Sequence, residues 1–166
     1  MKIFDAFKKK KEMRVISVFN QKGGVGKTTT VVNLASALGF NKKKVLVIDM
    51  DPQGNSTSGL GVEESEVTIY DVLTHEKEIN DTIIHTKSKN VDLIPANADL
   101  CGLEIELLNV DKKEYLLKQE LPKIPENYDF IIIDCPPSLS VLSINSLVSS
   151  HSVLIPIQCE YYALEG

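Results

Sequence analysis

Residues 15–34 read VISVFNQKGGVGKTTTVVNL, and they contain the most informative pattern in the chain. Residues 15–19 are mostly β-branched or aromatic, which predicts a short buried strand. From residue 31 onward, apolar side chains recur every three to four positions, which predicts a helix that ends at Gly39. The loop between them is rich in glycine. A strand, a glycine-rich loop and a helix in this order predict a phosphate-binding loop, because backbone N–H groups and a helix N-terminus attract anions.

The loop departs at one position from the common pattern G-x-x-x-x-G-K-[ST], because Gln21 stands where the first glycine is expected. In that pattern Lys27 reaches the β- and γ-phosphates of a nucleotide, and the Thr28 hydroxyl binds Mg²⁺. The alternative is a glycine-rich turn without a ligand. A chance turn would rarely have both a strand before it and a helix after it.

Further apolar segments predict four more strands, at residues 45–49, 91–95, 130–134 and 152–157. Unbroken apolar strands that alternate with helices predict an α/β fold, in which a parallel sheet is covered by helices on both faces. Residues 52–66 are interpreted as a loop. Helices are predicted as two short segments within residues 68–85 and as single segments at 100–108, 112–121 and 141–148.

Acidic residues end two of these strands. Asp134 follows the most hydrophobic strand, where phosphate-binding enzymes hold Mg²⁺, and two prolines after it suit a segment that senses the γ-phosphate. Asp49 and Asp51 end the second strand, at the edge of a parallel sheet that lines a ligand crevice, and one of them could orient an attacking water. The alternatives are an aspartate that caps a turn at 134 and one that initiates a turn before Pro52.

Composition and charge exclude several classes of protein. The 166 residues, 43% hydrophobic and 25% charged, fit one globular domain. No apolar run approaches the ~20 residues of a membrane span, and no secretory signal is present, so we expect a cytoplasmic protein. Cys101, Cys135 and Cys159 form no CxxC pair, which favours reduced thiols over a metal site or disulfides.

The ends of the chain differ from its body. Residues 1–14 contain six basic and two acidic residues, whereas the remainder contains 12 basic and 21 acidic residues. We expect residues 1–13 to be a flexible basic extension and residues 14–166 to be the folded domain. A short helix on an anionic membrane, or translation from Met13, are alternatives for the extension. Because the chain stops soon after the fifth predicted strand, we expect a truncation and a sheet that is incomplete at that end.

Residues 22–29 resemble the deviant Walker A motif of the ParA/MinD superfamily of ATPases. Residues 45–55, 128–138 and 156–166 are similar to the ParA-type (Soj-like) chromosome and plasmid partition ATPases, and the resemblance covers residues 14–166. It implies a P-loop NTPase fold and a Mg²⁺-dependent ATPase that binds ATP. Relatives are longer, and their adenine-contacting and DNA-binding residues lie mostly beyond position 166.

The resemblance also implies residue roles. Lys22 corresponds to a signature lysine that reaches the partner's nucleotide in a face-to-face dimer, Asp51 to the aspartate that positions water, and Asp134 to the Walker B metal residue. Transition-state charge needs a cation, and Arg14 is the single arginine in the chain, so Lys22 is the available candidate. Thr28 is expected to bind Mg²⁺ and Thr29 the α-phosphate. The expected nucleotide-binding residues are Gly23, Gly24, Val25, Gly26, Lys27, Thr28 and Thr29.

The implied function is a partition switch. ATP drives dimerisation, a ParB-type centromere-binding partner stimulates slow hydrolysis, and the dimer associates with the nucleoid through the part beyond residue 166. Membrane contact is not expected. The alternatives are a MinD-like membrane-associated scaffold ATPase, a non-catalytic nucleotide-binding module, and an electron-transfer relative of the nitrogenase iron protein. The phrases DPQGN at 51–55 and CEYY at 159–162 favour the partition branch.

Overall fold

The structure, a computed structural model, describes residues 13–125 and 127–159. Most of the basic extension and the last seven residues lie outside the described part. Six strands form one sheet: β1 Arg14–Val18, β2 Val45–Asp49, β3 Ile84–His85, β4 Val91–Ile94, β5 Phe130–Asp134 and β6 Ser152–Leu154.

Six α-helices connect or flank the strands: α1 Lys27–Phe40, α2 Asn55–Gly59, α3 Ile69–Leu73, α4 Leu103–Glu106, α5 Leu116–Glu120 and α6 Val141–Ser149. Short 3₁₀ turns lie at Ile79–Thr82, Ala98–Cys101, Lys113–Tyr115 and Leu121–Lys123. None of the helices in the described ranges is long and apolar enough to cross a bilayer.

The strand order across the sheet is β3-β4-β2-β5-β1-β6. All pairs are parallel except β3 with β4, which is antiparallel. The central strand β5 pairs with both β1 and β2, and its last residue Asp134 is in register with Val18 and Asp49. The carboxyl ends of β1, β2 and β5 therefore meet at one edge of the sheet.

The core lies on both faces of the sheet, and this confirms the predicted fold class. On one face, Val31 and Ala35 of α1 pack against Val47 and Ile132. On the other face, side chains of α3, α5 and α6 pack against side chains of β2 and β5. The helices contribute Ile69, Leu73, Leu117 and Leu142, and the strands contribute Leu46, Ile48, Ile131 and Ile133. All five positions of β2 are buried, which is why that strand reads as an unbroken apolar run.

Several predicted elements were wrong in extent. The segment interpreted as a loop at 52–66 contains α2, and the region at 68–85 contains β3 as well as a helix and a 3₁₀ turn. The helices predicted at 100–108 and 112–121 are broken into short α and 3₁₀ pieces. β6 ends at Leu154, two residues before Pro156, which has no N–H to donate to a neighbouring strand.

Gly39 does not stop α1, which continues through Phe40. Instead it allows a close approach between α1 and the turn before β4. A Cβ at this position would lie 2.2 Å from the carbonyl oxygen of Lys89. Asn90 seals the contact by donating from Nδ2 to the carbonyl of Gly39 at 2.9 Å.

Candidate functional site

The glycine-rich loop joins β1 to α1 at the carboxyl edge of the sheet. Gly24 and Gly26 have φ angles of 73° and 91°, a region that glycine enters without strain. Gly26 precedes α1, and no side chain caps this helix N-terminus. Its first N–H groups are thus left for a ligand to satisfy.

Lys27 is the first residue of α1 and is only 8% exposed. Its Nζ donates to the carbonyl oxygen of Lys22 at 3.2 Å, so the lysine side chain folds back under its own loop. A hypothetical Cβ on Gly23, Gly24 or Gly26 meets no atom within 4 Å, so the space beside the loop is open. The loop can therefore admit an anion beside its backbone N–H groups.

A cavity of about 330 Å³ lies against this loop. It brings together residues from three separate segments: the loop and the start of α1, the segment after β2, and the segment after β5. The lining residues are Gly23, Gly24, Gly26, Lys27, Thr28, Thr29, Asp51, Gln53, Asn55 and Pro137. Predicted site residues 22 and 25 lie elsewhere, since Lys22 and Val25 line a neighbouring cavity of about 540 Å³ against Ile155 and Ile157.

Asp134 is buried at the end of β5 and accepts two hydroxyl hydrogen bonds on the same oxygen. Thr28 Oγ1 donates to Oδ2 at 2.8 Å, and Ser56 Oγ donates to Oδ2 at 2.6 Å. The other oxygen, Oδ1, is buried without a hydrogen-bond partner among the described residues. Burial raises the pKa of Asp134, and the two hydroxyl bonds oppose that rise.

This donor set fits Mg²⁺. A carboxylate oxygen and a threonine hydroxyl are hard oxygen ligands, and Mg²⁺ usually takes one or two protein ligands while water and substrate phosphates complete its shell. Within residues 13–125 and 127–159, no group of three or more His, Cys, Asp and Glu side chains could hold a metal alone. Water and the phosphate oxygens of a nucleotide would complete the shell of a cation held by Thr28 and Asp134.

Asp49 and Asp51 occupy different environments. Asp51 lines the cavity, whereas Asp49 is fully buried and accepts from the backbone N and Oγ1 of Thr57, both at 2.8 Å. Asp49 also accepts from the backbone N of Asp51 at 3.1 Å. Burial first, and the nearby charge of Asp134 second, raise the pKa of Asp49 to about 7. Asp49 thus braces the segment that carries Asp51.

Lys22 is exposed at the tip of the loop. Its backbone N donates to Oδ1 of Asn20 at 2.9 Å, and its carbonyl accepts from Lys27. In the part of the chain that the structure describes, the Lys22 ammonium group has no hydrogen bond or ion pair. It is free to contact a group outside this molecule.

Sequence reasoning missed three supporting residues. Ser56 and Thr57 lie in α2, in a segment that was interpreted as loop because glycine, serine and asparagine dominate it. Gln158 donates from Nε2 to the carbonyl of Gly24 at 3.2 Å, which ties the segment after β6 to the loop. Gly54 precedes α2 in a left-handed conformation and no side chain caps this helix, so the usual cap residue did not mark its start.

A glycine-rich loop between the first strand and the first helix, with a buried aspartate beside it at the end of a parallel strand, defines the P-loop class of nucleotide-binding proteins. A family model described as an AAA domain matches residues 13–166. The Bacillus subtilis sporulation initiation inhibitor protein Soj is 54% identical over 155 residues, which cover 92% of this chain and 61% of that protein.

Solved structures agree with this class. Cobyrinic acid a,c-diamide synthase from Mycobacterium smegmatis, with bound ATP analogue and magnesium, matches with a TM-score of 0.89 and 43% identity over 93% of this chain and 64% of that one. A plasmid partition protein from Borrelia burgdorferi bound to AMPPNP matches with a TM-score of 0.83 and 38% identity, over 93% of this chain and 67% of that one.

The chain belongs to the family of ParA/Soj-type partition ATPases, which confirms the resemblance found in the sequence. It spans about 61% of the length of the Soj protein from Bacillus subtilis.

Proposed function

We propose that the protein is a Mg²⁺-dependent partition ATPase that binds ATP, hydrolyses it slowly and uses the nucleotide state to control dimerisation. One observation carries this proposal: Thr28, which lines the loop cavity, also holds Asp134 in the orientation that leaves Oδ1 without a partner. That combination supplies phosphate donors and cation ligands side by side. The family membership supports the same chemistry.

Each residue of the site has a proposed role. The N–H groups of the loop from Gly23 to Thr29 bind the phosphates, and Lys27 neutralises the β- and γ-phosphates after leaving the Lys22 carbonyl. Thr28 and Asp134 hold Mg²⁺, which when bound polarises the phosphate oxygens and offsets their charge. Asp51, at the cavity wall, accepts a hydrogen bond from the attacking water and orients it.

Lys22 has a proposed role in a second subunit. Its ammonium group lacks a partner among the described residues and stands at the loop tip, so it can contact the nucleotide of a facing copy. A cation placed there stabilises charge that develops during phosphoryl transfer. The same contact makes the dimer dependent on bound ATP.

The wider biology is also proposed from the family. A ParB-type partner stimulates hydrolysis, and the dimer associates with nucleoid DNA through residues outside this chain. The acidic balance of residues 15–166 supports the second point, since an acidic surface repels DNA phosphates.

Binding of Mg²⁺-ATP by the 166-residue chain, measured by calorimetry, tests the proposal. We expect Lys27→Ala to weaken binding by roughly 10–100-fold, because a charge-assisted hydrogen bond contributes about 1.5–3 kcal/mol. Lys118→Ala, which removes an exposed lysine on α5, is the matched control and should bind normally.

Three results would contradict the proposal. A wild-type chain that binds no nucleotide would refute nucleotide binding by this chain. Unchanged affinity in Lys27→Ala would remove the loop from the binding site. A loss seen equally in Lys118→Ala would show that net charge, rather than the loop, governs binding.

A further inference from the structure

Ser56 has an unusual position for a residue outside the phosphate-binding loop. It is fully buried in α2, and its hydroxyl donates to Oδ2 of Asp134 at 2.6 Å across 78 residues of sequence. A serine hydroxyl has one proton to donate, so this bond uses its whole donor capacity. Thr28 of α1 donates to the same oxygen.

Two hydroxyl donors from two helices make the carboxylate of Asp134 asymmetric. They fill Oδ2 and fix the rotation of the carboxylate plane. Oδ1 remains buried without a partner among the described residues, although a buried acceptor is nearly always satisfied. The pattern points to a ligand at Oδ1 and to Oδ2 as the oxygen reserved for protein donors.

We propose that Ser56 is a positioning residue for the cation site: its hydroxyl helps to keep Oδ2 of Asp134 occupied, so that Oδ1 would be the oxygen left to hold Mg²⁺. This inference rests on the proposed function, since it assumes that Asp134 meets Mg²⁺. It adds a residue of α2 to a site otherwise built from the P-loop and β5. It also connects the cation site to the segment that begins at Asp51.

Ser56 is not needed to hold α2 in place. The adjacent Thr57 already anchors that helix, since its N and Oγ1 donate to Asp49 and its Oγ1 accepts from the backbone N of Ala96 at 3.0 Å. Removal of the Ser56 hydroxyl should therefore leave the helix in position. The principal change would be a carboxylate at Asp134 held by one donor instead of two.

The test compares ADP binding with and without Mg²⁺ by calorimetry, because ADP excludes hydrolysis from the readout. In Ser56→Ala we expect ADP affinity without Mg²⁺ to stay within about twofold of wild type. The gain in affinity on adding Mg²⁺ should fall roughly 10-fold, the usual scale for losing a residue that orients a metal ligand. Ser58→Ala is the matched control, because Ser58 lies in the same helix but is exposed, and among the described residues its hydroxyl bonds only to the carbonyls of Gly54 and Asn55.

A second variant guards against a packing effect. Ser56→Cys leaves no cavity, because it replaces the hydroxyl with a slightly larger thiol that is only a weak donor, so it should lose most of the same Mg²⁺-dependent gain. A full Mg²⁺-dependent gain in Ser56→Ala would overturn the inference. Equal losses with and without Mg²⁺ would also overturn it, because they indicate a structural role.

The wild-type protein separates this inference from the proposed function. If wild-type affinity for ADP does not rise with Mg²⁺, the proposed cation site itself is wrong. If wild type shows the gain and Ser56→Ala retains it, only the role of Ser56 is wrong.

Discussion

Asp49 and Asp51 show how far two carboxylates can differ when only one residue separates them. Asp49 points into the core and accepts three hydrogen bonds, whereas Asp51 stands at the cavity wall. Burial disfavours the charged form of Asp49, and the nearby charge of Asp134 repels it, so both raise the pKa of Asp49. Asp49 therefore holds the segment in place through its hydrogen bonds, and Asp51 at the cavity remains the residue for which we propose a role in positioning water.

The raised pKa of Asp49 predicts a pH-dependent stability. In the unfolded chain this group releases its proton near 3.8, whereas in the folded chain it does so near 7. The stabilising contribution of protonated Asp49 is therefore complete below about pH 3.8 and is lost as the pH rises to about 7. We expect the free energy of unfolding, from urea denaturation, to decline over this window more steeply in wild type than in Asp49→Asn.

Asp81→Asn is the control for this prediction, since Asp81 is exposed. It should keep the wild-type dependence on pH. Asp134 shifts in the same direction as Asp49, so some decline should persist in Asp49→Asn. Identical slopes in wild type and Asp49→Asn would show that Asp49 does not titrate in this range.

The two ends of helix α1 lie in different surroundings: its N-terminus borders the cavity at the loop, and its C-terminal turn packs against the turn before β4. Its N-terminus has no side-chain cap and no acidic residue in the first turn, so its N–H groups and dipole are available to an anion. Its C-terminal turn is held against the turn before β4 through Gly39 and Asn90. The rigid packing of the far end fixes where the N-terminus points.

Gly39→Ala provides a test in which two physical effects have opposite signs. Helix propensity alone would stabilise the variant by about 1 kcal/mol. The added Cβ would lie 2.2 Å from the Lys89 carbonyl oxygen and 2.9 Å from Val91 Cγ2, and a backbone atom cannot move aside cheaply. We expect the clash to dominate and to lower the free energy of unfolding by about 1–3 kcal/mol, measured by thermal or urea denaturation.

A gain in stability in Gly39→Ala would show that α1 does not approach this turn so closely. Gly59→Ala in α2 is a useful comparison. Its Cβ would lie 3.1 Å from Cγ2 of Val32 and near no backbone atom of the described residues, so its cost should be smaller.

The strand order places β1, and the glycine-rich loop that follows it, between β5 and β6. On one side lie β5 and β2 with the aspartates, and on the other lies β6, the outermost strand. Beyond β6 the side chains of Ile155 and Ile157 are more than half exposed. Lys22 lies on that second side, in the cavity with these isoleucines. Lys22 is also exposed to solvent, so a second molecule can reach its side chain.

Dimerisation is the property of the whole molecule that Lys22 should control. In the presence of Mg²⁺ and a non-hydrolysable ATP analogue, we expect the wild-type protein to sediment as a dimer. Lys22→Ala should remain a monomer that still binds nucleotide, because its loop N–H groups and Lys27 are intact. The expected loss in dimer affinity is at least about 10-fold, the scale of one charge-assisted contact.

Asp51→Ala is the matched variant in this experiment. Asp51 also lines the nucleotide cavity, but its proposed role is in hydrolysis, so the dimer should form and persist. A normal dimer in Lys22→Ala would refute the role of this lysine across the interface. Loss of the dimer in both variants would assign the effect to the shape of the site rather than to one cation.

Local pattern was enough to predict the strand, loop and helix at residues 15–39, the apolar strands and the fold class. These features depend on residues close together in the chain: the spacing of apolar side chains, the glycines that permit close approach, and the lysine and threonine at the helix start. The family resemblance was visible for the same reason. The roles of Lys22, Asp51 and Asp134 remain predictions, although the structure places Asp51 at the cavity and Asp134 beside Thr28.

Long-range contacts decided the rest. Ser56 and Asp134 are 78 residues apart, and Thr28 and Asp134 are 106 residues apart. A local sequence pattern therefore could not predict that the two hydroxyls donate to the same carboxylate oxygen. The buried carboxylate of Asp49 is satisfied by Thr57, and the close approach that calls for glycine at position 39 is made by Lys89. The antiparallel pairing of β3 depends likewise on a neighbour already in the sheet. These hydrogen bonds, close contacts and strand pairings form only when separate elements pack together. Each of them joins two separate segments of the chain, so the pattern within one segment cannot predict it.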